Sequence, residues 1–198
     1  MDSSDRLKLC KNFFTLIQLQ KNSMRRIIVA IFIFLSFLCS CSEKSETAVD
    51  WINKADTLWH GGKYTEPQKA IEYLSKAIEL QPDNSDIYNR RGSIYLTIGQ
   101  NQLAINDFDK AIRLNPANAE YYNNRGSIYE KTGRYQQAIK DFDEAIHLDS
   151  NTAIFYNNRG TVQLDHGDKK TGCTDAHKAC ELKFCELLEW AKKEGYCR

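Results

Sequence analysis

Between Ser85 and Thr152 the apolar positions recur with two periods, one inside the other. On the short scale they fall three and four apart, as at Tyr88, Gly92 and Tyr95 and again at Ala104, Ile105, Phe108, Ala111 and Ile112. This predicts a pair of amphipathic helices, with Gly99 at the turn between them. On the long scale the pattern returns after 34 residues: segment 85–118 matches segment 119–152 at 17 of 34 positions without a gap. A unit of that size cannot bury its own apolar face and must stack on its neighbours. Asn115-Pro116 stops the second helix of the first copy, because the residue before a proline is pushed out of the helical region. Gly92, Gly126 and Gly160 sit inside the first helices, where each costs about 1 kcal/mol against alanine. The expected reason is close approach of the second helix, with Ala104 or Ala138 facing the glycine.

Within each unit an aromatic stands at position 4, Gly at 8, Tyr at 11, Gly at 15, Ala at 20, Phe at 24 and Ala at 27, and the first copy adds Pro at 32. This spacing resembles the tetratricopeptide repeat. The resemblance implies an all-α, right-handed superhelical solenoid of about four helix-turn-helix repeats. The repeats are expected at 48–84, 85–118, 119–152 and, in degenerate form, 153–182. In the first, Trp51, Ala55, Leu58, Gly62 and Tyr64 take positions 4, 8, 11, 15 and 17, and Thr65-Glu66-Pro67 reads as an insertion in the inter-helix turn, with Pro67 opening the second helix. In the fourth, Gly172 replaces Ala at position 20 and Ala176 replaces Phe at position 24. Residues 183–198 are expected to form a capping helix, since Leu187, Leu188 and Trp190 fall at helical spacing before Gly195.

The start of the chain reads differently. Residues 1–23 hold only a weakly amphipathic stretch and are expected to be an upstream extension outside the fold. Arg25-Arg26 followed by the almost wholly apolar residues 27–39 has the layout of a signal peptide, predicted over 24–40. That run is too short for the roughly 20 residues a membrane helix needs. Leu38-Cys39-Ser40-Cys41-Ser42 resembles the lipobox of bacterial lipoproteins. The resemblance implies cleavage before Cys41, a diacylglycerol thioether on its sulfur, and attachment in the cell envelope. Ser42 rather than Asp favours the outer membrane over the inner. Several acyl chains on one residue supply the multiple anchoring signals that stable attachment requires. Residues 41–47 are then a polar tether.

Charge excludes one class of partner. Lys and Arg number 27 against 26 Asp and Glu; the first 40 residues hold six cations and two anions, and without them 21 stand against 24. Nucleic-acid binding needs a basic stripe, and none is visible. Four of the seven cysteines, Cys173, Cys180, Cys185 and Cys197, crowd the last 26 residues. In an exported chain an even set suggests disulfides. Cys173 and Cys180 lie roughly 10 Å apart on one helix and cannot bond to each other. A fold back near Lys183 pairs Cys180 with Cys185 and Cys173 with Cys197. A Cys3His zinc site of Cys173, His177, Cys180 and Cys185 is the alternative, as are free buried thiols.

The resemblance also places positions 2, 5, 9, 12 and 13 on a concave groove. Position 5 is Asn89, Asn123 and Asn157, and position 9 is Ser93, Ser127 and Thr161. A row of amides can hydrogen-bond an extended peptide backbone; the plainer alternative is that these residues are only solvated and kept by helix packing. Arg91, Arg125 and Arg159 recur at position 7, expected to pair with Asp107, Asp141 and Asp175 rather than to form an anion-binding ladder. The lysines of a clamp for a C-terminal carboxylate are missing. His60 and His166 precede glycines and are expected to end helices; with His147 and His177 they are scattered, and no nucleophile motif or phosphate loop accompanies them. The chain is therefore expected to be no enzyme and to need no cofactor. It reads as a membrane-anchored scaffold that binds a peptide or partner protein in its groove. The alternatives are a structural factor of the envelope acting through the convex face, and a zinc module at the C-terminus. Nothing in the sequence fixes the oligomeric state.

Overall fold

The computed structural model describes residues 46–166 and 168–197. The expected extension 1–23, signal peptide 24–40 and lipidated Cys41 lie outside these residues, as do most of the tether and Gly167. Among the described residues are nine helices and one short strand pair: α1 (Ala48–Asp56), β1 (Trp59–His60), β2 (Lys63–Tyr64), α2 (Pro67–Leu80), α3 (Ser85–Thr97), α4 (Asn101–Leu114), α5 (Ala119–Lys131), α6 (Tyr135–Leu148), α7 (Ala153–Asp165), α8 (Lys169–Glu181) and α9 (Glu186–Lys193). The fold is an all-α repeat solenoid.

Several boundaries have a local cause. Asn84 and Asn118 accept from the backbone N–H groups of Asp86 and Glu120 at 3.1 and 3.0 Å, satisfying donors that the first turns of α3 and α5 leave open. Thr47 and Asp50 form a reciprocal capping box at the start of α1. The last two tether residues are thus part of the fold, since Glu46 also pairs with Lys54. Pro67 opens α2 as expected of a residue that lacks the N–H and has its φ preset.

The first repeat departs from the sequence expectation. α1 stops at Asp56, and the chain then makes an antiparallel hairpin with Trp59 opposite Tyr64 and His60 opposite Lys63. Gly61 and Gly62 form its turn at φ +57° and +82°, the left-handed backbone that a two-residue hairpin loop requires. The Trp59 and Tyr64 rings meet edge to face, 4.9 Å between centroids. The hairpin thus occupies the start of the inter-helix stretch, and the expected insertion at 65–67 follows it, with Pro67 as the first residue of α2. His60 lies in a strand and ends no helix, whereas His166 is the C-cap residue of α7.

The core runs the length of the array. Leu74, Ile87, Ile94, Phe108, Tyr121, Ile128, Phe142 and Val162 are fully buried, and burying a large side chain contributes about 1.5–3 kcal/mol. The helix glycines do mark close approach, but not to alanine. A Cβ on Gly92 would stand 3.1 Å from the Phe108 ring, and one on Gly126 would stand 2.8 Å from the Phe142 ring. Phenylalanine, not Ala104 or Ala138, is the nearest neighbour because its longer side chain carries ring carbons to the glycine. In the fourth repeat, where Ala176 replaces that phenylalanine, Leu187 of α9 stands 3.0 Å from the corresponding point on Gly160.

The array ends in a covalently tied cap. After α8 the chain turns through Lys183 at φ +75° and enters α9, which packs on α8 and α7. Cys173 is bonded to Cys197 and Cys180 to Cys185, with Cα separations of 5.6 and 4.0 Å. Sulfurs joined in this way are not thiolates, so the alternative zinc site is not formed. No group of metal-ligating side chains occurs among the described residues.

Candidate binding groove on the first-helix layer

The inner layer of the solenoid is made by first helices. α3 touches α5 and α5 touches α7, so these first helices form one layer. What fixes the spacing is a repeated arginine. Arg125 holds Asp141 of its own repeat through both Nε and Nη2, at 2.8 and 2.7 Å, and reaches back with Nη1 to Asp109 of the preceding repeat at 2.6 Å. Arg159 does the same with Asp175 and Asp143. Arg91 holds Asp107 in the same fork and meets Ser75, the residue of the first repeat at the place of Asp109. The carboxylates hold all three guanidiniums above their ordinary pKa, hydrogen bonding leading and burial opposing. Every arginine head is thus committed to carboxylate or hydroxyl, which leaves no ladder for anions.

The amides behave differently from the sequence picture. Asn124 donates to the side-chain oxygen of Asn89 at 3.0 Å, and Asn158 donates to that of Asn123 at 2.9 Å. The row is therefore bonded along the array, from position 6 of one repeat to position 5 of the one before. Asn157 instead donates to its neighbour Asn158 at 3.4 Å. Ser93, Ser127 and Thr161 donate back to the carbonyls of Asn89, Asn123 and Asn157 at 2.8–3.0 Å. What stays available at Asn89 and Asn123 is each amide N–H pair, and at the hydroxyls an acceptor oxygen. Position 6 is outside the groove set that the resemblance implies, although Tyr-Asn-Asn-Arg-Gly at 122–126 and at 156–160 carries its signal.

Two depressions open on this layer. One, of about 650 Å³, lies between the starts of α5 and α7 and is lined by Glu120, Asn123, Asn124 and Ile154 among others. The other, of about 490 Å³, lies at the opposite ends of the same helices and is lined by Leu96, Ser127, Glu130, Tyr135, Val162 and His166 among others. Tyr135 and His166 stack there with centroids 3.4 Å apart. Burial, and then the neighbouring Asp165 carboxylate, push the Glu130 carboxyl above its ordinary range. Of the residues expected in the groove, Ser127 lines the second depression and Asn123 the first.

Comparison with known proteins agrees with this architecture. Tetratricopeptide-repeat family models match residues 51–84, 89–153 and 126–170. Among solved structures, the chain is similar to the MamA protein at 25% identity, over 70% of this chain and 74% of that one, with a TM-score of 0.62. It is similar to YrrB, described as a tetratricopeptide-repeat protein with an unusual peptide-binding site, at 22% identity over 74% of each chain and a TM-score of 0.60. A third match is the first repeat domain of Spaghetti (RPAP3) bound to the HSP90 peptide SRMEEVD, at 21% identity over 62% of this chain and 95% of that one, with a TM-score of 0.57. No curated protein matches the chain by sequence.

Proposed function

The chain belongs to the tetratricopeptide-repeat proteins, and from that premise we propose that it is a protein-interaction scaffold binding an extended peptide segment of a partner on its first-helix layer. The observation that carries this is the amide row: Asn89 and Asn123 are held rigidly by their neighbours while their N–H groups remain to donate to a peptide backbone. The two depressions beside that row can take side chains of the same peptide. YrrB and the Spaghetti domain, which share the fold, are described with peptide-binding sites or a bound peptide. The sequence around Cys41 supports a further part of the proposal, that the scaffold is lipid-anchored in a bacterial envelope, the outer membrane rather than the inner.

Site-specific cross-linking in native membranes tests the groove. A photoreactive residue in place of Ser127 is expected to trap a partner, one in place of the exposed Lys140 on α6 is not, and N89A with N123A is expected to abolish the trapping. Trapping only from Lys140 would transfer function to the convex face. Intact mass tests the anchor: a chain beginning at acylated Cys41, lighter by four hydrogens than its reduced form for the two disulfides, is expected. An unprocessed chain with an unmodified Cys41 would remove the envelope from the proposal.

A further inference from the structure

Position 12 on the first helices α3, α5 and α7 is Leu96, Glu130 and Leu164, so one carboxylate stands between two leucines on the inner layer. Glu130 is neither exposed nor paired: its side chain is half-buried, and no hydrogen bond or ion pair holds it among the described residues. An uncompensated carboxylate out of water is costly, and structures normally neutralise it with a cation. Among the described residues no hydrogen bond or ion pair does so. Lys131 stands exposed at the rim of the same depression without an ion pair among the described residues. The neighbouring charge that acts on Glu130 is another carboxylate, Asp165, with the imidazole of His166 opposing it.

The walls suit one kind of guest. Leu96 and Val162 form an apolar floor, the stacked rings of Tyr135 and His166 form a side, Ser127 offers its hydroxyl oxygen, and Glu130 stands among them. A long aliphatic stem ending in a cation satisfies all of these at once, since such side chains bury the stem and place the head on aromatic faces and carboxylates. We propose that this depression is an anchor pocket for an arginine or lysine side chain of the bound peptide, with Glu130 as the specificity-determining residue. The inference rests on the groove reading above and adds the chemistry of the partner, which is a basic segment and not an acidic one.

The test is a positional-scanning library of blocked, uncharged nonapeptides, each pool fixing one residue at one place, presented to the full chain in detergent. Pools with Arg or Lys at a single place are expected to bind about tenfold more tightly than the pool with Ala there, the worth of one charge-assisted hydrogen bond. Glu130→Gln keeps the shape and Glu130→Leu copies Leu96 and Leu164; both are expected to lose that preference, binding Arg and Ala pools alike. If peptides bind in an Asn123-dependent way with no basic preference, or the preference survives both variants, the pocket is refuted and the groove stands. If the folded parent chain binds no pool, the groove reading falls and the pocket with it.

Discussion

Leu187 lies 3.0 Å from the point where a Cβ on Gly160 would stand, the place that Phe108 and Phe142 occupy over Gly92 and Gly126. The capping helix therefore supplies from outside the repeat the apolar group that Ala176 fails to supply from within. Leu187→Ala should cost about 2–4 kcal/mol, as truncation of a buried leucine does. Adding Ala176→Phe to that variant restores volume from the second helix and should recover part of the loss. Urea unfolding of the single and double variants checks this; a double variant no more stable than the single one would mean that the space is not shared.

Arg125 joins two second helices through Asp141 and Asp109, and the two contacts differ in burial. Asp141 is 6% exposed, so Arg125→Ala leaves a charge stranded in the core and should cost about 3–5 kcal/mol. Asp109 has a side chain 34% exposed, and Asp109→Asn should cost no more than about 1 kcal/mol. Thermal unfolding of both variants ranks the contacts, and equal losses would contradict the ranking.

Glu130 makes a prediction about pH. Its carboxyl binds a proton more tightly folded than unfolded, first through burial and then through Asp165. A raised acid destabilises the fold as pH climbs from the ordinary value, 4.5, through the folded value, and the penalty is complete above that. Glu130→Gln should therefore unfold at a higher temperature than the parent at pH 7 and at the same temperature near pH 3.5. A gain that is constant with pH would point to packing instead of charge.

The disulfides should separate by loop length. Cys173–Cys197 closes 24 residues and Cys180–Cys185 closes 5, so the chain-entropy account assigns about 3 kcal/mol to the first and less to the second. Cys197→Ser with Cys173→Ser should loosen α9 in hydrogen exchange, while Cys185→Ser with Cys180→Ser should affect mainly the turn at Lys183. The reverse order would show that the short bond carries the cap.

The architecture was legible because its signal is repeated: a residue such as Phe108 recurs as Phe142, and chance does not keep a 34-residue spacing. The hairpin was not legible in the same way. Gly61-Gly62 between Trp59 and Tyr64 is a hairpin signal in its own right, yet those residues also fit the repeat register, which reads them as the end of a helix and its turn. Asn89 and Asn123 could be placed on the groove by position, and Arg125 could be paired with Asp141 inside its own repeat. Their partners Asn124, Asn158 and Asp109 belong to neighbouring repeats. Such contacts depend on how one unit is set against the next, which no single copy of the sequence encodes.

Because each central unit carries an arginine for the repeat before it and an acceptor for the repeat after it, the joint between units is self-complementary. A second copy of residues 119–152 inserted after the first would bring both halves of its own fastening and leave the flanking fastenings intact. The far end has no such freedom. His177 occupies the place of Asp109 and Asp143, and the tied helix α9 covers the surface beyond it. The length of the array can therefore change by whole units in its middle, while α9 keeps the fourth repeat from taking another unit on its far side.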